Sequence, residues 1–139
     1  MKHRFVEFVP EILEDKVLYI SVKYGTINHL CVCGCGLEVV TPISPADWQF
    51  SYNGEAISLF PSIGNWDYPC KSHYWIKNNE IIWARSWSEK EIEEGRYYDM
   101  WLNDYYLKSY DLKMSRNSKR KFKKESIMGK IKNLLFFKF

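Results

Sequence analysis

The sequence Asn-His-Leu-Cys-Val-Cys-Gly-Cys-Gly at residues 28–36 decides the arrangement of the chain, together with Pro-Cys-Lys-Ser-His-Tyr-Trp at residues 69–75. These two segments contain all four cysteines and two of the three histidines. Four thiolates, or three with an imidazole, satisfy the tetrahedral coordination of zinc and can join two loops. The alternative is two disulfides, or one disulfide and two free thiols. Because no signal peptide precedes the cluster, we expect a cytoplasmic protein with reduced thiols and a zinc ion.

Two ligand sets are compatible with this spacing. In an extended segment, residues two apart point to the same face, so Cys31, Cys33 and Cys35 are expected to project toward one ion. Cys70 completes a set of four cysteines, and in the competing set His73 replaces one of the first three. Either set fills four positions, which is typical of a structural rather than a catalytic zinc.

The pattern of apolar residues predicts a mainly β (α+β) fold, a small antiparallel sandwich or barrel-like sheet of about seven strands, followed by a C-terminal helix. The turn pair Asn53-Gly54 favours a type I′ hairpin. Ser88 followed by Glu91 is a capping-box pattern, which predicts a helix of about 20 residues whose aromatic stripe packs on the core. The predicted strands are residues 5–9, 16–24, 37–41, 48–52, 55–60, 73–77 and 80–84.

Charge divides the chain into two parts. Residues 113–139 hold ten of the twenty Lys and Arg and one acid, Glu125, which leaves ten basic and sixteen acidic residues in the first 112 positions. We therefore predict a zinc-stapled β domain with its helix at 1–112 and a basic, mobile tail at 113–139. The acidic domain argues against a specific nucleic-acid-binding module, which only the tail supports.

The end of the tail has a pattern of its own. Apolar residues recur at helical spacing within residues 127–139, with lysines between them. Such a basic amphipathic helix is typical of weak contact with an anionic membrane surface or a partner. The other interpretation is an ordinary packed or disordered tail.

Two serines and two histidines are candidates for catalysis beside the metal. Ser72 and His73 are adjacent and would face opposite sides of a strand, so Ser72 with His29, or Ser62 with His73, is the easier nucleophile and base pair. The alternative for each serine is a loop hydroxyl bonded to backbone, and for His73 a buried structural imidazole. Three acids are candidates to orient the histidine: Asp47, Asp67 and Glu55.

Four motifs follow one another in this chain: His-Leu-Cys-x-Cys-Gly-Cys-Gly at 29–36, Ser-Pro-x-Asp-Trp at 44–48, Pro-Ser-Ile-Gly-Asn-Trp at 61–66, and Cys-x-Ser-His-Tyr-Trp-Ile at 70–76. Together they resemble a bacterial family of small proteins of unknown function. Its members are encoded in Bub-type operons for ubiquitin-like conjugation, often near phage-defence genes. The resemblance runs from about Phe5 to Trp83.

The resemblance implies a zinc-binding accessory protein of a ubiquitin-like pathway, and a serine peptidase that processes or removes the ubiquitin-like protein. It implies that the cysteines bind metal and that Ser72 and His73 lie at the working site. The implied partners are the ubiquitin-like protein and conjugating-enzyme-like proteins. A non-catalytic zinc adaptor that recruits them through Trp66, Tyr74 and Trp75 is the alternative, and a metallohydrolase is a third hypothesis.

Overall fold

A computed structural model describes the backbone of residues 1–136 and the side chains of residues 1–118 and 120. In this part of the chain, nine strands form three sheets and are followed by one α-helix. The predicted mainly β fold with a C-terminal helix is confirmed. Among the described residues, no helix combines the length and the apolar character needed to cross a membrane.

The strands and the helix follow one another along the chain with short connections. Their bounds are β1 Lys2–Phe5, β2 Val17–Ser21, β3 Thr26–Leu30, β4 Glu38–Pro42, β5 Gln49–Tyr52, β6 Ile57–Phe60, β7 Ile63–Gly64, β8 His73–Lys77, β9 Glu80–Trp83 and α1 Glu89–Phe136.

The first sheet has the order β1-β2-β3-β4, and β1 runs parallel to β2 while the other pairs are antiparallel. The first strand lies earlier than the predicted residues 5–9. Its sheet pairing ends near Val6, whose amide donates to the carbonyl of Ile20. At Glu7 the carbonyl instead accepts the hydroxyl of Ser21, so the chain leaves the sheet there.

The turn of the β5-β6 hairpin differs from the predicted one, whereas the β8-β9 hairpin turns at residues 78–79, between the strands predicted at 73–77 and 80–84. At Asn53-Gly54 the loop is longer than two residues, because β5 ends at Tyr52 and β6 begins at Ile57. The side chain of Asn53 accepts two backbone amides there, and only Gly54 of the pair has a positive φ. The tight two-residue turn is instead Asn78-Asn79, where both residues have positive φ, as a type I′ turn requires.

The core joins all three sheets. It is formed by buried residues of β2 to β4 and β6 to β8: Leu18, Ile20, Ile27, Val39, Ile57, Leu59, Ile63, Tyr74 and Ile76, with Cys31 at its border. On β8 the side chains alternate, with Tyr74 and Ile76 in the core and His73 and Trp75 on the opposite face. The face of β8 that carries His73 and Trp75 is therefore the one turned away from the core and from Cys31 at its border.

The helix begins with the predicted capping box. The amide of Glu91 donates to the Ser88 hydroxyl at 3.3 Å, and the Glu91 carboxylate accepts the Ser88 amide at 2.8 Å. The helix is much longer than the predicted 20 residues and continues through the segment predicted as a mobile tail. Lys and Arg have high helix propensity, so a helical backbone does not need apolar residues in that segment.

The chain divides into two compact units, Met1–Met100 and Trp101–Phe139. The first contains the sheets and the start of α1, and the second contains the rest of α1. The predicted boundary after residue 112 stays a prediction. On the helix face that carries the aromatic stripe, Ile92 is buried, but Tyr97 and Met100 are exposed, so the expected core packing is wrong for them. The amphipathic pattern at 127–139 concerns side chains outside the described ones.

Candidate metal and catalytic site

The four cysteines come together although the first three are not in an extended segment. Residues 32–35 form a turn after β3, in which the amide of Gly34 donates to the carbonyl of Cys31 at 3.0 Å. Both Gly34 and Gly36 have positive φ, a conformation that favours glycine. The convergence predicted for the cysteines is therefore present, but a turn rather than strand alternation produces it.

The sulfur atoms have the spacing of a tetrahedral metal site. All four Sγ atoms lie within 4.8 Å of one another, and the separations from Cys31 to Cys33, Cys31 to Cys70 and Cys35 to Cys70 are 3.4, 3.9 and 3.8 Å. Zn–S bonds of about 2.3 Å place tetrahedral sulfurs about 3.8 Å apart, whereas a disulfide has about 2.05 Å. The cysteines are free thiols that could hold a metal ion such as zinc, and the disulfide alternative does not fit.

The thiols differ in acidity within this cluster. Burial raises the pKa of Cys70, but hydrogen bonds from the Ser72 hydroxyl and amide outweigh it and lower the pKa to about 7. Although Cys33 is exposed, partial desolvation of its sulfur, together with the contacts to the other thiols, raises its pKa to about 12. Four sulfurs this close together do not ionise together without a cation, and a bound cation deprotonates its thiol ligands. The donor set therefore fits a structural zinc.

On the other face of β8, Ser62 and His73 form a hydrogen-bonded pair. The distance between Ser62 Oγ and His73 Nε2 is 2.9 Å. Strand β7 places Gly64 opposite His73, so Ser62, two residues earlier, lies on the same face of the sheet. This is one of the two serine and histidine pairings that strand alternation allows.

The second nitrogen of His73 determines the tautomer. Nδ1 lies 3.2 Å from the carbonyl oxygen of Arg85, which can only accept a hydrogen bond. In the neutral ring Nδ1 therefore carries the proton, and Nε2 has the free lone pair that accepts the Ser62 hydroxyl. Both nitrogens of His73 are engaged away from the cysteines, which removes His73 as a replacement metal ligand.

Three tryptophans surround the His73 ring. Its centroid lies 4.9 Å from those of Trp66 and Trp87, both edge-on, and 5.7 Å from that of Trp75. Burial lowers the pKa of His73 below its ordinary value of 6.5. The hydrogen bond to the Arg85 carbonyl opposes this shift without cancelling it, and the Arg85 charge lowers the pKa as well. The imidazole is therefore neutral near pH 7, which is the form that a general base requires.

Ser72 and His29 are both buried and do not pair with each other. The Ser72 hydroxyl lies 3.1 Å from the sulfur of Cys31 and accepts the side-chain amide of Asn65 at 2.8 Å. Nε2 of His29 is 2.8 Å from the Tyr74 hydroxyl, and burial lowers the pKa of His29 to about 4. Ser72 is buried among hydrogen-bond partners beside the thiols, whereas Ser62 is partly exposed.

None of the three acids predicted to orient the histidine has that role. Asp47 accepts the hydroxyl of Ser44, and Asp67 pairs with Arg96. No contact joins Glu55 to His73 in the described part of the chain. A backbone carbonyl orients the ring instead, and sequence patterns do not reveal which carbonyl will face a side chain.

The comparison with protein families bears on this site directly. A family described as BubE, bacterial ubiquitination-like system serine protease, matches residues 5–84, which is more than half of the chain. The chain belongs to the BubE family. No match was found among curated proteins or among solved structures.

Membership in the BubE family confirms the resemblance seen in the four motifs and connects the protein with a bacterial ubiquitination-like system. The matched residues contain all four cysteines and both members of the Ser62 and His73 pair. Arg85 and Trp87 lie just beyond the matched residues, although both contact His73. Sequence patterns alone did not identify Asn65, Arg85 and Trp87 as neighbours of the site.

Proposed function

We propose that this protein is a serine peptidase in which Ser62 is the nucleophile and His73 the general base. The observation that carries the proposal is the 2.9 Å contact from Ser62 Oγ to His73 Nε2, in a ring whose Nδ1 proton is directed to the Arg85 carbonyl. A nucleophile, its base and a group that orients the base are the parts that acyl transfer needs. The family description supports this reaction class.

The reaction follows from the tautomer. Nε2 of His73 accepts the Ser62 proton as Oγ attacks the scissile carbonyl, forming a tetrahedral intermediate. The protonated ring then gives that proton to the leaving amine, and the C–N bond breaks. A water molecule, deprotonated by the same Nε2, attacks the acyl-enzyme, and the proton returns to Ser62 as the acid product leaves.

The metal has no step in this reaction. When bound, zinc supplies a crosslink between the loop at residues 31–35 and Cys70, and four cysteine ligands leave no open position for water. The sulfur of Cys70 contacts the hydroxyl of Ser72. His73 follows Ser72 in sequence, and its side chain lies on the opposite face of the strand. We infer that the cysteine cluster stabilises the position of β8, which carries His73, from the side opposite to the imidazole.

We infer that the substrate is the ubiquitin-like protein of the same system, extended at its C-terminus or joined to a target. The test is release of that extension by the purified protein, measured by intact mass. Ser62→Ala should reduce cleavage at least about 1,000-fold, since removing the nucleophile leaves little activity in serine peptidases. Ser51→Ala, an exposed serine on β5, is the matched control and should cleave like the native protein.

A non-catalytic adaptor is the second candidate, because Trp75 exposes 38% of its surface beside the site. Tyr74, which the adaptor hypothesis counted as exposed, is fully buried and removed from that role. An adaptor would bind the ubiquitin-like protein stably without turnover. Cleavage that Ser62→Ala abolishes excludes this candidate.

A further inference from the structure

The segment between β9 and α1 contacts the His73 ring at two places. The carbonyl of Arg85 accepts a hydrogen bond from Nδ1, and the indole of Trp87 lies edge-on to the imidazole, with 4.9 Å between ring centroids. Both residues follow the matched residues 5–84 of the family. The His73 site is therefore completed by a part of the chain outside the family match.

Trp87 is held in a defined position by two neighbours. Its ring stacks on Trp66, with centroids 5.2 Å apart and planes inclined by 19°. Gly95 of α1 also lies against this indole, because an added Cβ there would lie 2.8 Å from Cζ3 of Trp87. Because real Cβ atoms do not approach other atoms so closely, only glycine leaves room for the indole at this position of the helix.

The start of α1 is tied to the loop that precedes β8. Lys71 forms an ion pair with Glu89, and Asp67 forms one with Arg96. Upstream, the guanidinium of Arg85 pairs with the carboxylate of Glu91, the same residue that caps the helix. These ion pairs thus connect the first two turns of α1 to the loop before β8 and to the segment after β9.

We propose that residues 85–95 form a positioning element of the peptidase, in which Trp87 holds the His73 ring toward Ser62 and Gly95 provides the space that Trp87 occupies. This inference rests on the proposed function. Trp66 and Trp87 together cover the imidazole, so the ring cannot rotate away from Ser62 without displacing an indole. Loss of that restraint should lower kcat and leave KM nearly unchanged, because substrate binding does not depend on the ring's orientation.

The same contacts set the environment in which His73 titrates. The groups that face its ring are the Ser62 hydroxyl, the indoles of Trp66, Trp75 and Trp87, and the carbonyl of Arg85. The charge that acts on it is the Arg85 guanidinium, itself paired with Glu91. Since burial lowers the pKa of His73, displacing Trp87 admits water and should raise it toward 6.5.

The substitution Gly95→Ala in the full chain tests the proposal, because alanine favours a helix over glycine while its Cβ displaces Trp87. We expect kcat to fall about 10- to 100-fold with KM within about 3-fold. NMR titration of His73 should give a pKa closer to 6.5 than in the native protein. Adding Trp87→Phe, whose ring is smaller, should restore part of kcat and move the His73 pKa part of the way back to its native value. Tyr97→Ala, an exposed position on the same helix, is the control and should change neither.

The two readouts separate this inference from the proposed function. If native protein cleaves the substrate and Gly95→Ala leaves kcat and the His73 titration unchanged, the positioning element is overturned and the peptidase stands. If no variant cleaves but the His73 titration moves as expected, the contact between Trp87 and His73 is upheld and the proposed function fails.

Discussion

The hydroxyl of Ser62 lies 2.9 Å from Nε2 of His73, while Ser72, the immediate neighbour of His73, points to the opposite side of the strand and lies against the sulfur of Cys31. Two consecutive residues thus place the proposed base on one side of the chain and, on the other, a hydroxyl beside the cysteine sulfurs. The two serines should therefore respond differently to the same substitution.

Replacing Ser72 should affect the metal more than the reaction. Ser72→Ala removes the hydroxyl near the Cys31 and Cys70 sulfurs. It also removes the acceptor of a hydrogen bond from the Asn65 side-chain amide. Groups that bond to metal ligands typically change metal affinity about 10- to 100-fold. We expect that loss in zinc affinity, measured by competition with a chelator, and a kcat within about 3-fold of native when zinc is in excess. A loss of kcat as large as that of Ser62→Ala would contradict this division of roles.

The pH dependence of kcat/KM should report the titration of His73. The base must be neutral to accept the Ser62 proton, so activity is present above its pKa and disappears as pH falls through it. Because burial lowers that pKa from 6.5, more than half of the maximal activity should remain at pH 6.5. A steady-state profile from pH 4.5 to 8 measures this, and an acidic limb centred above pH 7 would be incompatible with the buried neutral ring.

The cysteine cluster should bind one zinc per chain and stabilise the fold. Cys31 is fully buried at the border of the core, whereas Cys33 and Cys35 are exposed. Cys31→Ser should therefore lower both zinc content and melting temperature more than Cys35→Ser does, since it also disturbs packing. Elemental analysis and thermal unfolding with and without chelator measure the two effects. A native protein purified without metal, and unaffected by chelator, would remove the zinc interpretation.

Gly64, two residues after the proposed nucleophile Ser62, should not accept a larger residue without a cost. At Gly64 an added Cβ would lie 2.4 to 2.6 Å from indole atoms of Trp66, which packs on His73. Gly64→Ala should therefore destabilise the fold by about 1 to 3 kcal/mol, a typical cost of overpacking, and lower kcat. Chemical denaturation and cleavage kinetics measure the two losses. Unchanged stability would show that Trp66 moves aside without cost.

Much of this arrangement could be predicted from residue patterns. The alternation of side chains along residues 72–74 placed Ser72 and His73 on opposite faces and left Ser62 as one of two partners to consider. The spacing of the cysteines indicated the cluster, and Ser88 with Glu91 indicated where the helix starts. The helix start and the strand alternation depend on residues close together in sequence or on a simple period. The cluster was indicated by residue type, and a turn rather than alternation brings its first three cysteines together.

The remaining features depend on contacts between distant parts of the chain. The orienting group of His73 is a carbonyl twelve positions away, and a carbonyl occurs at every residue. Asn65 resembled an ordinary loop residue, although its side-chain amide bonds the hydroxyl of Ser72. The type I′ turn lies at Asn78-Asn79 rather than at Asn53-Gly54, because asparagine also adopts positive φ and the first pair belongs to a longer loop.

Covalent labelling shows directly whether Ser62 is a nucleophile activated by His73. A fluorophosphonate probe reacts with serines whose base accepts the hydroxyl proton, and the labelled residue is found by peptide mapping. We expect one label per chain at Ser62, absent in Ser62→Ala and strongly slowed in His73→Gln, with Ser72→Ala labelled like the native protein. Labelling at Ser72, or no labelling of a folded, zinc-loaded protein, would contradict this role of Ser62.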